Sequence, residues 1–176
     1  MKFTKDHWIQ KGVEFLANEG SHALMIDHMC AKSRITKGSF YHYFDSIDEY
    51  IRLVVRRWER EILAQLEKVV EKGLSPQQRL DRMKMLAFHY SGKLEVGLRA
   101  LALHNREVKK ILNRTESKRV EMLTQILSDL GKSKLQAREI AELIYAQWIG
   151  IQVCQISGVI NAERVTARSE MIMKMF

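Results

Sequence analysis

Thr36-Lys37-Gly38-Ser39-Phe40-Tyr41-His42-Tyr43-Phe44 reads as one short helix with two unlike faces. Thr36 suits the N-cap, where its hydroxyl accepts a bond from a free backbone N–H one turn on. Phe40 and Phe44, four residues apart, stack on one side and anchor the helix to a core. Lys37, Ser39, Tyr41, His42 and Tyr43 put a positive charge, hydroxyls and aromatic edges on the remaining surface. Gly38 falls in the first turn, where the lack of a side chain lets another surface come close to the backbone. Helix N-termini favour anions, because their unpaired N–H groups and the dipole point outward there. The stretch is suited to meeting phosphate.

Its flanks extend the pattern. No carboxylate occurs between Asp27 and Asp45, whereas Lys32, Arg34 and Lys37 fall inside that gap. Ile26, Met29 and Cys30 have helical spacing, and Ser33-Arg34-Ile35 has the length of a tight turn. Helix, short turn, helix is the layout of a helix-turn-helix, whose second helix enters the major groove of DNA.

Residues from about Trp8 to Trp58 resemble the DNA-binding domain of the TetR (tetracycline-repressor) family of bacterial regulators. Lys37-Gly38-Ser39-Phe40-Tyr41-His42-Tyr43-Phe44 is close to that family's recognition-helix signature, and Ala17-Asn18-Glu19-Gly20 resembles the end of its first helix. The chain departs from the family in three places. Leu24-Met25 stands where Thr or Ser usually opens helix 2, Arg34 where the turn usually has Gly, and Ile47 where Lys often follows the recognition helix. In such a reader Lys37, Ser39 and His42 are expected to meet base edges, with Gly38 letting the backbone close. Thr36, Tyr41 and Tyr43 are expected to bond phosphates, which position without specifying.

The chain has 176 residues, 46% of them hydrophobic, with one proline and nine glycines, which suits an all-helical chain of one or two domains. Its formal charge of +8 favours an anionic partner, nucleic acid before membrane surface. Lys and Arg only slightly outnumber Asp and Glu before residue 60, so the acid-free gap is the better pointer. Cys30 and Cys154 lie far apart and read as small buried apolar residues in a reducing compartment. No metal site is expected, since His28 and Cys30, two residues apart, point to different sides of a helix. The N-terminus carries no secretory pattern, and a cytoplasmic protein is expected.

Helix 1 is read with Thr4 as cap, an apolar stripe of Trp8, Ile9, Gly12, Val13 and Leu16, and Gly20 just past its end. Gly12 in a helix interior suggests close approach of another helix. Helix 2 covers roughly Met25 to Ser33. Helix 4 starts near Ser46 and carries Ile47, Ile51, Val54, Trp58 and Ile62, with periodicity to about Lys72. At about 25 residues it measures near 40 Å and reads as a connector between domains. Beyond Gly73-Leu74-Ser75-Pro76 everything is helical. The division expected is a helix-turn-helix domain (1–46), a connecting helix (47–72) and a C-terminal domain (73–176), with about nine helices.

Residues 143–162 carry no charged side chain, yet Gln147, Gln152, Gln155 and Ser157 argue for a buried helix and against a membrane span. A further helix, about Ala162 to the end, adds Val165, Met171, Ile172 and Phe176. The family resemblance implies that the helices around Trp148–Val159 and Val165–Phe176 pair with their mates in a dimer's four-helix bundle.

No constellation for catalysis stands out: there is no phosphate-binding glycine loop, no Gly-x-Ser-x-Gly and no His-Glu-x-x-His. An enzyme is not expected, nor a cofactor. The resemblance implies a small-molecule cavity in the C-terminal domain, for which His89, Tyr90, His104, Tyr145, Trp148, Gln152 and Gln155 are the polar or aromatic candidates on apolar helices. The expectation is therefore an all-α, homodimeric, effector-controlled repressor that reads a pseudo-palindromic DNA operator. The alternative is a helical interaction protein whose basic helix meets an acidic protein partner.

Overall fold

The computed structural model describes residues 3–89 and 92–158, the side chains of Phe88 and His89 excepted. Among them the order is α1 (Lys5–Asn18), a 3₁₀ turn (Ser21–Leu24), α2 (Ile26–Ser33), α3 (Lys37–Tyr41), α4 (Ile47–Val69), α5 (Pro76–His89), α6 (Gly92–His104), α7 (Arg106–Asp129) and α8 (Lys134–Ile156). The helix expected from about Ala162 lies outside the described residues, as does Tyr90. No described helix is long and apolar enough to cross a membrane.

Local chemistry fixes most of the boundaries. Thr4 caps α1 reciprocally: the His7 N–H donates to Thr4 Oγ1 at 3.3 Å and the Thr4 N–H donates to His7 Nδ1 at 3.1 Å. Past its end Gly20 takes φ +92°, left-handed backbone that favours glycine. Ser75 and Gln78 start α5 by the same exchange, and Ser133 and Gln136 start α8. Asn105 Oδ1 accepts from the N–H groups of Glu107 and Val108, each at 3.1 Å, and so opens α7.

The helices group by packing and not by chain order. One compact unit comprises Met1–Gln65 and Lys93–Thr115, the other Leu66–Gly92 and Glu116–Phe176. In the first unit α6 and the start of α7 join α1–α4. Trp8, Phe40, Phe44 and Tyr50 form its aromatic centre, with ring centroids 5.5 Å apart for Trp8–Phe40 and 5.0 Å for Phe44–Tyr50. Tyr50, absent from the expected α4 stripe, is fully buried, and its hydroxyl donates to the Trp8 carbonyl at 2.8 Å. Burial pushes the Tyr50 phenol well above its ordinary pKa. Ile47 and Ile51, placed on that stripe by periodicity, are only half-buried.

Close approach explains Gly12. A Cβ there would sit 2.4 Å from Val54 Cγ2 and 2.5 Å from Tyr50 Oη, so α1 and α4 meet where Gly12 leaves room. Gly97 plays a milder version of the part for α6, its absent Cβ lying 3.2 Å from the Ser21 nitrogen. Glu59 of α4, nearly buried, accepts a two-pronged bond from Arg114 of α7.

In the second unit Val120, Leu123 and Leu127 of α7 pack with Ala137 and Ala141 of α8, and Leu80, Ile140, Ile144 and Tyr145 close around them. The other side of α8 is exposed among the described residues. Leu143 is 62% exposed and Val153 48%, with Ala146 and Gly150 exposed between them. These four recur at intervals of three and four, which makes one stripe along the helix.

Candidate functional site

The helix-turn-helix is built from α2, a turn at Arg34 and α3. Arg34 takes φ 55° and ψ 42°, a left-handed conformation uncommon for a residue with a Cβ. The Ile35 N–H donates to the Cys30 carbonyl at 3.0 Å, closing the end of α2 as a glycine would. At the start of α2, Met25 offers no side-chain bond to the free N–H groups.

Thr36 caps α3 as expected, Oγ1 accepting from the Ser39 N–H at 3.3 Å. The helix is shorter than its nine-residue signature. After Tyr41 the ladder tightens, with the Tyr43 N–H reaching back only three residues to the Phe40 carbonyl at 3.0 Å. Phe40 and Phe44 are 0% and 1% exposed, so the inner face is pinned in the aromatic centre.

The outer residues form one surface. Thr36, Lys37, Gly38, Tyr41 and His42 are exposed and Ser39 is half-buried. A Cβ on Gly38 would meet nothing nearer than Thr36 Oγ1 at 3.8 Å. The protein's own packing therefore does not require glycine at this position. Lys37 is not free: its ammonium lies 2.5 Å from Asp27 Oδ1 on α2, and this bond raises the Lys37 pKa. Tyr43 is half-buried and its hydroxyl donates to the Phe3 carbonyl at 2.9 Å. His42 sits with its ring 4.7 Å from that of Tyr43. The sequence pattern gave no signal for Asp27 or for the use of the Tyr43 hydroxyl.

The residues proposed for a ligand do not all come together. Tyr145 and Trp148 do, with ring centroids 5.4 Å apart, on the wall of a cavity of about 90 Å³ in the second unit. His104 is exposed at the end of α6, in the first unit. Gln152 is buried, but it packs beside Gly92 and does not line the cavity. Gln155 is half-buried and also off the wall. The His89 side chain and Tyr90 lie outside the described residues. Sequence reading missed Arg119, whose guanidinium lies 4.9 Å from the Trp148 ring centre and which is 4% exposed. Ile151, inside the Trp148–Val159 stretch expected to pair in a dimer, lines the cavity. Among the described residues no group of three His, Cys, Asp or Glu could hold a metal ion.

Known structures share this arrangement over nearly the whole chain. A transcriptional regulator of the TetR/AcrR family superposes with a TM-score of 0.79 over 97% of this chain and 96% of its own, at 16% identity. The fold is that of the TetR/AcrR regulators. Within the same TetR/AcrR fold, a regulator from Rhodococcus sp. RHA1 gives a TM-score of 0.80 over 98% and 95% of the two chains, at 18% identity. A regulator from Saccharomonospora viridis, solved in complex with choline, gives 0.83 over 97% and 95%, at 12% identity. Among curated proteins, the HTH-type transcriptional repressor KstR2 of Mycolicibacterium smegmatis is 22% identical over 121 residues, 69% of this chain. That match spans about half, 53%, of the relative's length. No protein-family model matches the chain.

Proposed function

We propose that the protein is a sequence-specific DNA-binding transcriptional regulator, a repressor, that reads a pseudo-palindromic operator as a homodimer under control of a small-molecule effector. The observation that carries the reading is the open first turn of α3. Its inner face is locked by Phe40 and Phe44, while Gly38 faces a surface on which no protein atom needs the space. A rigid helix that keeps its N-terminal turn clear is ready to bring backbone and short side chains against base edges.

Dimerisation is supported by the bare stripe of α8 from Leu143 to Val153, which a second copy would cover. Effector control is supported by the cavity beside Trp148 and by the choline bound in one structural neighbour. The repressor reading is supported by the name of the curated relative.

The test is selection of bound sequences from random duplexes, followed by titration of the winning site. A two-fold related site should be enriched. Gly38→Ala should keep the far-UV spectrum and thermal midpoint but weaken that site about tenfold or more, each lost specific contact being worth about 1–3 kcal/mol. Absence of any enriched sequence, or full-strength binding by Gly38→Ala, would overturn the reading.

A further inference from the structure

We propose that the cavity between α5, α7 and α8 holds a compact, uncharged, apolar molecule built on a single ring or a branched alkyl group. The proposal rests on the effector control just described and narrows its ligand to one chemical class.

The wall is made mainly by Leu80, Met83, Leu123, Ile144, Trp148 and Ile151. Its volume is about 90 Å³. An apolar wall offers water few of the two to four polar partners it takes in a buried site, and apolar cavities of comparable scale take up benzene-sized guests. Three of the polar side chains at the wall have protein partners. The Trp148 indole N–H donates to the Ala87 carbonyl at 2.9 Å. Arg119 lies over the Trp148 ring, and Lys84 pairs with Asp81 at 3.3 Å.

The charges select against both kinds of ion. No Asp or Glu is among the described lining residues, while Arg119 and Lys84 are, so a cationic ligand would meet like charge and no carboxylate among those residues. An anionic ligand would need Arg119 drawn off the indole or Lys84 from its carboxylate. It would also surrender its hydration against aliphatic walls, a cost that uncompensated charges do not recover. A neutral apolar guest meets neither penalty and gains the burial of its own surface.

Three single-ring probes of similar size decide it: toluene, benzoate and benzylammonium, titrated into the full chain without DNA. Trp148 fluorescence and saturation-transfer NMR on the probe serve as readouts. Toluene should saturate one site per chain, at least tenfold more tightly than either ion. Ala87→Leu, which fills the cavity, should weaken toluene tenfold or more. Met83→Ala, which enlarges it, should shift preference from toluene to naphthalene, so the proposal stays testable even if the filled variant folds poorly. Tighter binding of benzoate or benzylammonium, or toluene binding indifferent to both variants, would overturn it. Because no DNA is present, a failed operator selection would leave these isotherms intact, and failed isotherms would leave operator binding standing.

Discussion

Under the proposed function, two charged side chains at the entrance of α3 would set the balance between specific and indiscriminate DNA binding. Lys37 is the one cation in the first turn of α3, and Asp27 holds it at 2.5 Å although both side chains are largely exposed, 60% and 72%. Any phosphate or base that Lys37 meets must replace that carboxylate. Asp27→Asn should therefore strengthen binding to random duplex, steepen its salt dependence by about one counterion, and reduce the preference for the selected site. Salt titrations on specific and random DNA check this, and parallel curves for both proteins would show that Asp27 has no hold on Lys37. A second residue with a sharp outcome is Gly12. The 2.4 Å and 2.5 Å approaches leave no room for a methyl group, so Gly12→Ala should force α1 and α4 apart and lower stability by about 1–3 kcal/mol, read from urea unfolding. The gain in helix propensity on going from Gly to Ala, about 1 kcal/mol, opposes this but is smaller than the larger part of that range.

At the level of elements, the junction between α3 and α4 is tied by one carboxylate. Glu49 Oε2 accepts from the Asp45 N–H at 2.8 Å, and Lys5 from α1 reaches Oε1 at 3.3 Å. The bond from the Asp45 N–H is the main cause of the lowered Glu49 pKa. A carboxyl whose folded pKa is lowered contributes stability above its unfolded value, about 4.3, and loses it as pH falls through the lowered folded pKa. The wild-type urea midpoint should thus fall more steeply on acidification below about pH 4.3 than that of Glu49→Gln. Identical acid slopes would remove Glu49 from the account. The starts of α1 and α3 were readable in advance, because the caps Thr4 and Thr36 act within a few residues. The length of α3 was not. Its signature runs to Phe44, but the tightening after Tyr41 is decided by where Phe40 and Phe44 must both go, into the space around Trp8 and Tyr50.

For the whole molecule, the prediction concerns assembly. The exposed stripe of α8 includes Leu143 and Val153, whereas Ile151 faces the cavity. Leu143→Asp or Val153→Asp should yield a monomer by analytical ultracentrifugation at micromolar concentration, with operator binding lost and the helical content kept. Ile151→Asp should instead disturb toluene binding, since it places a carboxylate in an apolar wall. A Val153→Asp chain that remained a dimer and still bound its site would place the interface elsewhere.

Periodicity, caps and the recognition signature determined by themselves that this chain is helical, that it opens with a helix-turn-helix, and that Lys37, Tyr41 and His42 face away from the side of Phe40 and Phe44. Those features depend on neighbours in sequence and on the single constraint that Phe40 and Phe44 be buried. Tertiary structure alone decided the rest. It joined α6 to the first unit, buried Tyr50 as the hub of the aromatic centre, and tied Lys37 to Asp27 and the Tyr43 hydroxyl to Phe3. It also chose Tyr145, Trp148 and Arg119 for the cavity while leaving His104 outside it. The physical reason is one of range. A hydrogen bond, ion pair or ring contact between distant residues, ten positions apart for Lys37 and Asp27 and forty for Tyr43 and Phe3, leaves no periodic trace in the chain, because many residue types could fill either end and only the packed backbone brings the two ends together.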